Sequence, residues 1–174
     1  LDGYTNKLRQ ALSSQGAPVE LCNMGWAGQQ TFLYYLRALD LLSAGLVPTW
    51  LLYGAFSPND SAGPLTTAQI NSMKTRMVEV IAAAFSAGAA PVVSNGMPTN
   101  TALKNWGSSD SLRIALNDEL AAMPGIKVAD ISSPTSGDVV GGQVQIVTGM
   151  TTDNIHPNDA GYSAMAVAVR PAFY

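Results

Sequence analysis

The stretch TTDNIHPNDAGYSAM, residues 151–165, holds the single histidine of the chain, His156, three positions after Asp153 and directly before Pro157. A neutral imidazole can take a proton from a hydroxyl only if its other ring nitrogen is held as N–H, and a buried carboxylate does this. With Asp153 and His156 on one loop, a local turn can make that bond. Pro157 disfavours helical backbone at His156 and can begin the helix that follows. These residue types at this spacing fit a general base with its orienting carboxylate. Taken alone, however, a loop histidine is ordinarily a solvated polar side chain. The reading therefore depends on what the rest of the chain supplies.

The elements that must hold this loop are legible from period and punctuation. Residues 4–15 put Tyr4, Leu8, Ala11 and Leu12 on one helical face, and Gly16 ends the pattern. PVELCN (18–23) reads as a short strand, 30–44 as a helix stopped by Gly45, and PTWLLYG (48–54) as a second strand. A long helix from Thr67 to about Ala87, capped by Thr66 or Thr67, precedes the strand AAPVVSNG (89–96). A helix over 109–123, the strand GIKVADI (125–131), a Gly/Ser/Thr-rich loop over 132–152 with a hairpin at GQVQIV, and a last helix from Asn158 to Arg170 complete the order. The strands are continuous apolar runs that alternate with helices, the pattern of a parallel sheet covered on both faces. No repeat or linker interrupts it, so residues 1–174 read as one domain. Ligands of such sheets bind beyond the carboxyl ends of the strands, which singles out 23–29, 54–60, 94–100 and 130 onward.

Composition narrows the partners. A chain of 174 residues, 47% apolar, can bury one substantial core. The net charge of −3 comes without any charged block, so nucleic acid has no electrostatic foothold. The longest apolar stretch, around Val78 to Phe85, is too short and amphipathic to span a bilayer. Cys22 has no cysteine to pair with, and one Cys with one His cannot build a structural zinc site. Low charge with abundant Ser, Thr, Asn and Gly suits a secreted protein.

Three strand-end segments carry a joint pattern. NMGWAGQQT follows the first strand, GAFSPND the second, and DNIHPNDAGY lies near the C-terminus. In this order they resemble the sequence blocks of the SGNH hydrolases, the GDSL esterase/lipase family. Asn23, Gly25 and Gly28 match its Asn-x-Gly-x-x-Gly turn; Gly54, Asn59 and Asp60 match its Gly-x-Asn-Asp block, with AFSP intervening; Asp153, His156 and Pro157 match Asp-x-x-His-Pro. The resemblance spans essentially the whole chain and implies a three-layer α/β/α sandwich on a flavodoxin-like parallel sheet of order 2-1-3-4-5. It also implies acyl-ester hydrolysis with His156 as base, Asp153 orienting it, and the Gly28 N–H and Asn59 amide binding the oxyanion. No cofactor or metal is implied. The expected substrate is a small-molecule or glycan ester, acetyl on carbohydrate in particular, because no long apolar cap for a lipid cleft lies between the blocks. Seen singly, Asn23 to Gly28 is a simple turn, and Asn59 and Asp60 are turn formers. Asp130, at a strand end, is a rival carboxylate with no histidine partner in sequence. Trp26 and Trp106, in strand-end loops, are candidates for a substrate groove, whereas Trp50, Met73 and Met77 read as packing residues.

One block is absent. The family's nucleophile lies in a Gly-Asp-Ser block ending the first strand; neither Gly-Asp-Ser nor Gly-x-Ser-x-Gly occurs in this chain. GYTNKLRQAL resembles the helix that follows that block. Three explanations remain open: the serine lies on an upstream segment or separate chain, the domain is a catalytically silent carbohydrate-binding or interaction module, or Ser94, Ser57 or Ser163 substitutes. The first predicts that 18–23 and 48–53 do not pair, but flank a gap one strand wide, roughly 9–10 Å between their axes.

Overall fold

Three parallel strands carry the architecture in the computed structural model, which describes residues 4–16, 19–24, 29–54, 56–60, 65–99, 110–140, 143–153 and 155–174. They are β1 (Trp50–Gly54), β2 (Ala90–Ser94) and β3 (Lys127–Ala129), side by side in that order. Trp50 stands opposite Ala90 and Gly54 opposite Ser94; Val92 stands opposite Lys127 and Ser94 opposite Ala129.

Side chains of successive strand residues point to opposite faces, and Val92 and Val93, both fully buried, enter two different hydrophobic clusters. Val93 packs with Tyr53, with Ala38 of α2 (Thr31–Ser43), with Met77, Val80 and Ile81 of α3 (Thr67–Ala87), and with Leu120 of α4 (Asp110–Ala122). Val92 packs with Ala129, with Leu8 and Leu12 of α1 (Tyr4–Ser13), and with Ala166 and Val169 of α5 (Asp159–Val169). Helices α2, α3 and α4 thus cover one face, α1 and α5 the other. This is the expected α/β/α sandwich. Met73 and Met77 are buried in it, and Trp50 packs edge-on against Phe173.

Local signals set the helix ends. Thr66 and Gln69 form a reciprocal capping box at the start of α3, worth about 1 kcal/mol. Gly88 ends the helix at φ +89°, a left-handed conformation that costs a side-chain-bearing residue free energy.

Two expectations need correction. Residues 19–24 form no strand. A strand exists by exchanging backbone hydrogen bonds with a neighbour, and none of the three strands of the sheet pairs with this segment. Val19 and Leu21 still pack on the cluster that contains Trp50 and Leu52, so the apolar pattern reported burial rather than pairing. Among the described residues the β1 edge away from β2 carries no strand, and the parallel sheet has the order β1-β2-β3. The hairpin, in turn, is longer than GQVQIV: β4 (Ser136–Val140) pairs antiparallel with β5 (Gln143–Ile146).

A buried ion pair holds this hairpin to the sheet. Arg113 Nε donates to Asp110 Oδ1 at 2.7 Å, and both side chains are 1% exposed. Arg113 also donates to the Gly96 carbonyl and Ser132 Oγ, while Asp110 Oδ2 accepts the Val144 N–H. The start of α4 is thereby fastened to the ends of β2 and β3 and to β5.

Candidate active site

The loop before α5 is built around one carboxylate. Asp153 Oδ2 lies 2.6 Å from His156 Nδ1, and Oδ1 accepts the backbone N–H groups of His156 at 2.7 Å and Ile155 at 3.0 Å. The spacing of three residues allows this: Asp153 closes an Asx-type turn on the residues that follow it. Thr151 stabilises the same turn, its hydroxyl donating to the His156 carbonyl and accepting from the Asp153 N–H. Asn158 then caps α5 through the N–H groups of Ala160 and Gly161, while its amide donates to the Gly149 carbonyl. Gly161 permits the close approach of α5 to this loop, since a Cβ there would stand 2.5 Å from the Met150 carbonyl oxygen.

The hydrogen bond from the His156 side chain, followed by that from its backbone N–H, holds the Asp153 carboxyl well below the usual carboxylate range. Asp153 is therefore ionised near neutrality and selects the tautomer with the proton on Nδ1, leaving Nε2 as the basic nitrogen. The carboxylate is not buried, as the triad chemistry of the sequence reading supposed: the Asp153 and His156 side chains are 48% and 68% exposed.

Asn59 sits in a 3-10 turn, Pro58–Asp60, just past the end of β1. That turn is laced to residues 29–31, which follow the glycine turn. The Ser57 hydroxyl donates to the Gln29 carbonyl at 2.7 Å and accepts from the Asn59 N–H at 3.2 Å. Asn59 Nδ2 donates to the same Gln29 carbonyl at 3.4 Å, and Gln30 Nε2 to the Asn59 carbonyl at 3.3 Å. Asp60 takes the Thr31 N–H at 2.7 Å, the Thr31 hydroxyl, and the Ser57 N–H at 3.2 Å. From α2, Arg37 Nη1 reaches both the Met24 carbonyl and Gln29 Oε1 at 2.7 Å, bridging the two described ends of NMGWAGQ.

Gly25, Trp26 and Gly28 of that turn, and Trp106, lie outside the described residues. Asn23 lines a cleft of about 450 Å³ with Thr5, Asn6 and Arg9 of α1 and with Val19, Glu20 and Leu21. This cleft belongs to α1 rather than to the Asp153–His156 loop.

Asp130 serves the backbone. Burial alone would raise its pKa, but hydrogen bonds from Ser133, Asn95 and Ser132 outweigh this and hold it below the ordinary value. Asn95 bridges Asp130 to the N–H groups of Ile131 and Ser132. Two of the candidate serines are likewise committed: Ser57 is buried in the 57–60 turn, and Ser163 donates to the Asp159 carbonyl within α5. Among the described residues Asp153 is the hydrogen-bond partner of the His156 ring, and no serine hydroxyl reaches it.

Residues Gln29, Thr31 and Arg37 were not singled out by the sequence, and Ser57 only as a substitute nucleophile. Their signal is only that they adjoin the blocks, and their contacts reach partners up to 29 positions away.

No family model and no curated protein matches this sequence. Solved structures do match its fold. A GDSL-like lipase from Bacteroides thetaiotaomicron superposes with a TM-score of 0.75 at 16% identity, over 97% of this chain and 80% of that one. A carbohydrate esterase family 3 structure from Talaromyces cellulolyticus gives 0.64 at 16% identity, over 98% and 89% of the two chains. A family 3 carbohydrate esterase from Clostridium thermocellum gives 0.58 at 14% identity, over 96% and 83%. With its helices on both faces of a parallel sheet, the chain shares the fold of these structures.

Proposed function

We propose that the protein is a serine esterase of SGNH type acting on acyl esters, with acetyl esters of carbohydrate as the substrate class. The 2.6 Å contact between Asp153 and His156, on a loop at the start of α5, is the observation that carries this reading. The fold shared with a GDSL-like lipase and with two carbohydrate esterases supports it.

In the first half-reaction the serine Oγ attacks the ester carbonyl carbon as His156 Nε2 takes its proton. The carbonyl π pair moves to oxygen, and the N–H of Gly28, the amide of Asn59 and the N–H of the nucleophile bind that oxyanion. On collapse the alcohol leaves with the proton from His156, and the acyl group remains on serine. Water then attacks the acyl-serine, again giving its proton to His156, and the acid departs as serine is restored. Asp153 remains ionised throughout and stabilises the transient imidazolium.

The serine belongs, in this proposal, to a Gly-Asp-Ser segment, upstream or on a separate chain, whose strand adds to the edge of β1 away from β2. The ion pair between Lys7 of α1 and Asp159, the first residue of α5, at 3.5 Å supports a place near the loop of His156. Lys7 is one helical turn, about 5 Å, from the start of α1, so the start of that helix lies near the start of α5. A catalytically silent binding module on the same scaffold has one observation in its favour, that no described serine reaches His156.

Protein with its native N-terminus, treated with a fluorophosphonate probe and digested for mass spectrometry, separates the readings. An adduct on a serine outside residues 1–174, with loss of p-nitrophenyl acetate turnover, is the expected result. An adduct on Ser94, Ser57 or Ser163 calls for a different triad, and no turnover and no adduct supports the silent module.

A further inference from the structure

We infer that Asp60 is a positioning residue for the oxyanion site, setting the turn that carries Asn59 against the residues that follow Gly28. This rests on the esterase reading above. Two of the three donors proposed for the oxyanion, Gly28 and Asn59, come from segments some thirty residues apart in sequence, and a catalytic constellation works only when held to about 0.5 Å. Asp60 is where the two segments are tied. Its Oδ1 accepts the N–H of Thr31, the first residue of α2, and its Oδ2 accepts the Thr31 hydroxyl and the Ser57 N–H.

The local chemistry explains why a carboxylate is needed there. The first N–H groups of a helix have no partner within it, and the N-cap residue of α2, Gln30, makes no side-chain cap. Asp60 supplies the acceptor from another segment, where its negative charge also meets the favourable end of the helix dipole. Thr31 and Ser57 are almost completely buried, so water does not readily replace either bond. Other contacts between the described parts of the segments, from Ser57 Oγ, Asn59 Nδ2 and Gln30 Nε2, are neutral and include bonds as long as 3.3 and 3.4 Å. Charge-assisted bonds are the stronger kind, so the register between the two turns follows Asp60.

A double-mutant cycle tests this, using p-nitrophenyl acetate and protein with its native N-terminus. Asp60→Ala should lower kcat by at least about 10-fold with little change in KM, and the Asn59→Ala/Asp60→Ala double variant should match Asn59→Ala to within about 3-fold, because Asp60 acts through Asn59. Losses that multiply, or a change in KM alone, overturn the inference and leave the esterase reading standing. Undiminished kcat in Asn59→Ala removes both the inference and the assignment of Asn59. If Asp60→Ala does not fold, Thr31 provides the same test: Thr31→Val should lose kcat, and Thr31→Ser, which keeps the hydroxyl, should recover most of it. Equal rates for those two variants overturn the inference.

Discussion

The Nδ1 of His156 and the Oδ2 of Asp153 stand 2.6 Å apart on a single loop, with both side chains open to solvent. The contact is made by local backbone turns rather than by burial. The same carboxylate binds two backbone N–H groups of its own loop, so the pair is preorganised without surrounding protein.

The titration of Asp153 follows from that geometry. Its folded pKa is depressed, chiefly by the His156 side chain, so the carboxylate stays ionised as pH falls through the usual carboxylate range near about 4. Its contribution to stability is present above the unfolded value and is lost only as pH falls through the lower, folded one. A ¹³C-labelled Asp153 carboxyl should show no protonation step near pH 4, about the ordinary carboxylate value, and His156→Ala should move the step back toward it. A step near that pH in the wild type contradicts the hydrogen-bonded arrangement.

Asn59→Ala should lower kcat by about 10²–10³-fold, the loss for one oxyanion donor, with a smaller effect on KM. Steady-state kinetics on an activated ester distinguishes the two parameters. A change in KM alone makes Asn59 a turn or substrate-binding residue.

Gly161 sets two effects against each other. Alanine in a helix is favoured over glycine by about 1 kcal/mol, yet a Cβ at Gly161 would stand 2.5 Å from the Met150 carbonyl oxygen and 2.9 Å from Pro157 Cβ. Overlap with backbone in a packed site costs about 1–3 kcal/mol and outweighs the propensity gain. Gly161→Ala should therefore lower Tm, by about 2–4 °C for each kcal/mol in a chain of this size. An unchanged or raised Tm in a thermal scan shows that the helix and the loop of His156 can part without strain.

Much of this was legible in the sequence because the relevant signals are local. The Asp153–His156 pair is separated by three residues, so its hydrogen bond could be read from spacing. The helices followed from 3.6-residue apolar period and from end signals such as Thr66 and Gly45. What failed was whatever depends on a distant partner. Val19 and Leu21 look like strand residues because they are buried, but pairing is decided by the neighbouring backbone. The shortening of the third strand to Lys127–Ala129 reflects Asp130 turning to bind the N–H groups of Ser132 and Ser133. The clasp between Asp60 and Thr31 spans 29 positions and leaves no periodic trace.

The central claim is that His156 is the general base of ester hydrolysis. Turnover of p-nitrophenyl acetate by protein with its native N-terminus, wild type against His156→Ala, tests it most directly. The account predicts that His156→Ala loses nearly all activity, on the scale of about 10⁶ in kcat for removal of a triad base. Asp153→Asn should lose less, though still orders of magnitude. Undiminished turnover in His156→Ala, in a variant that folds as the wild type does, would contradict the assignment of this loop as the catalytic one.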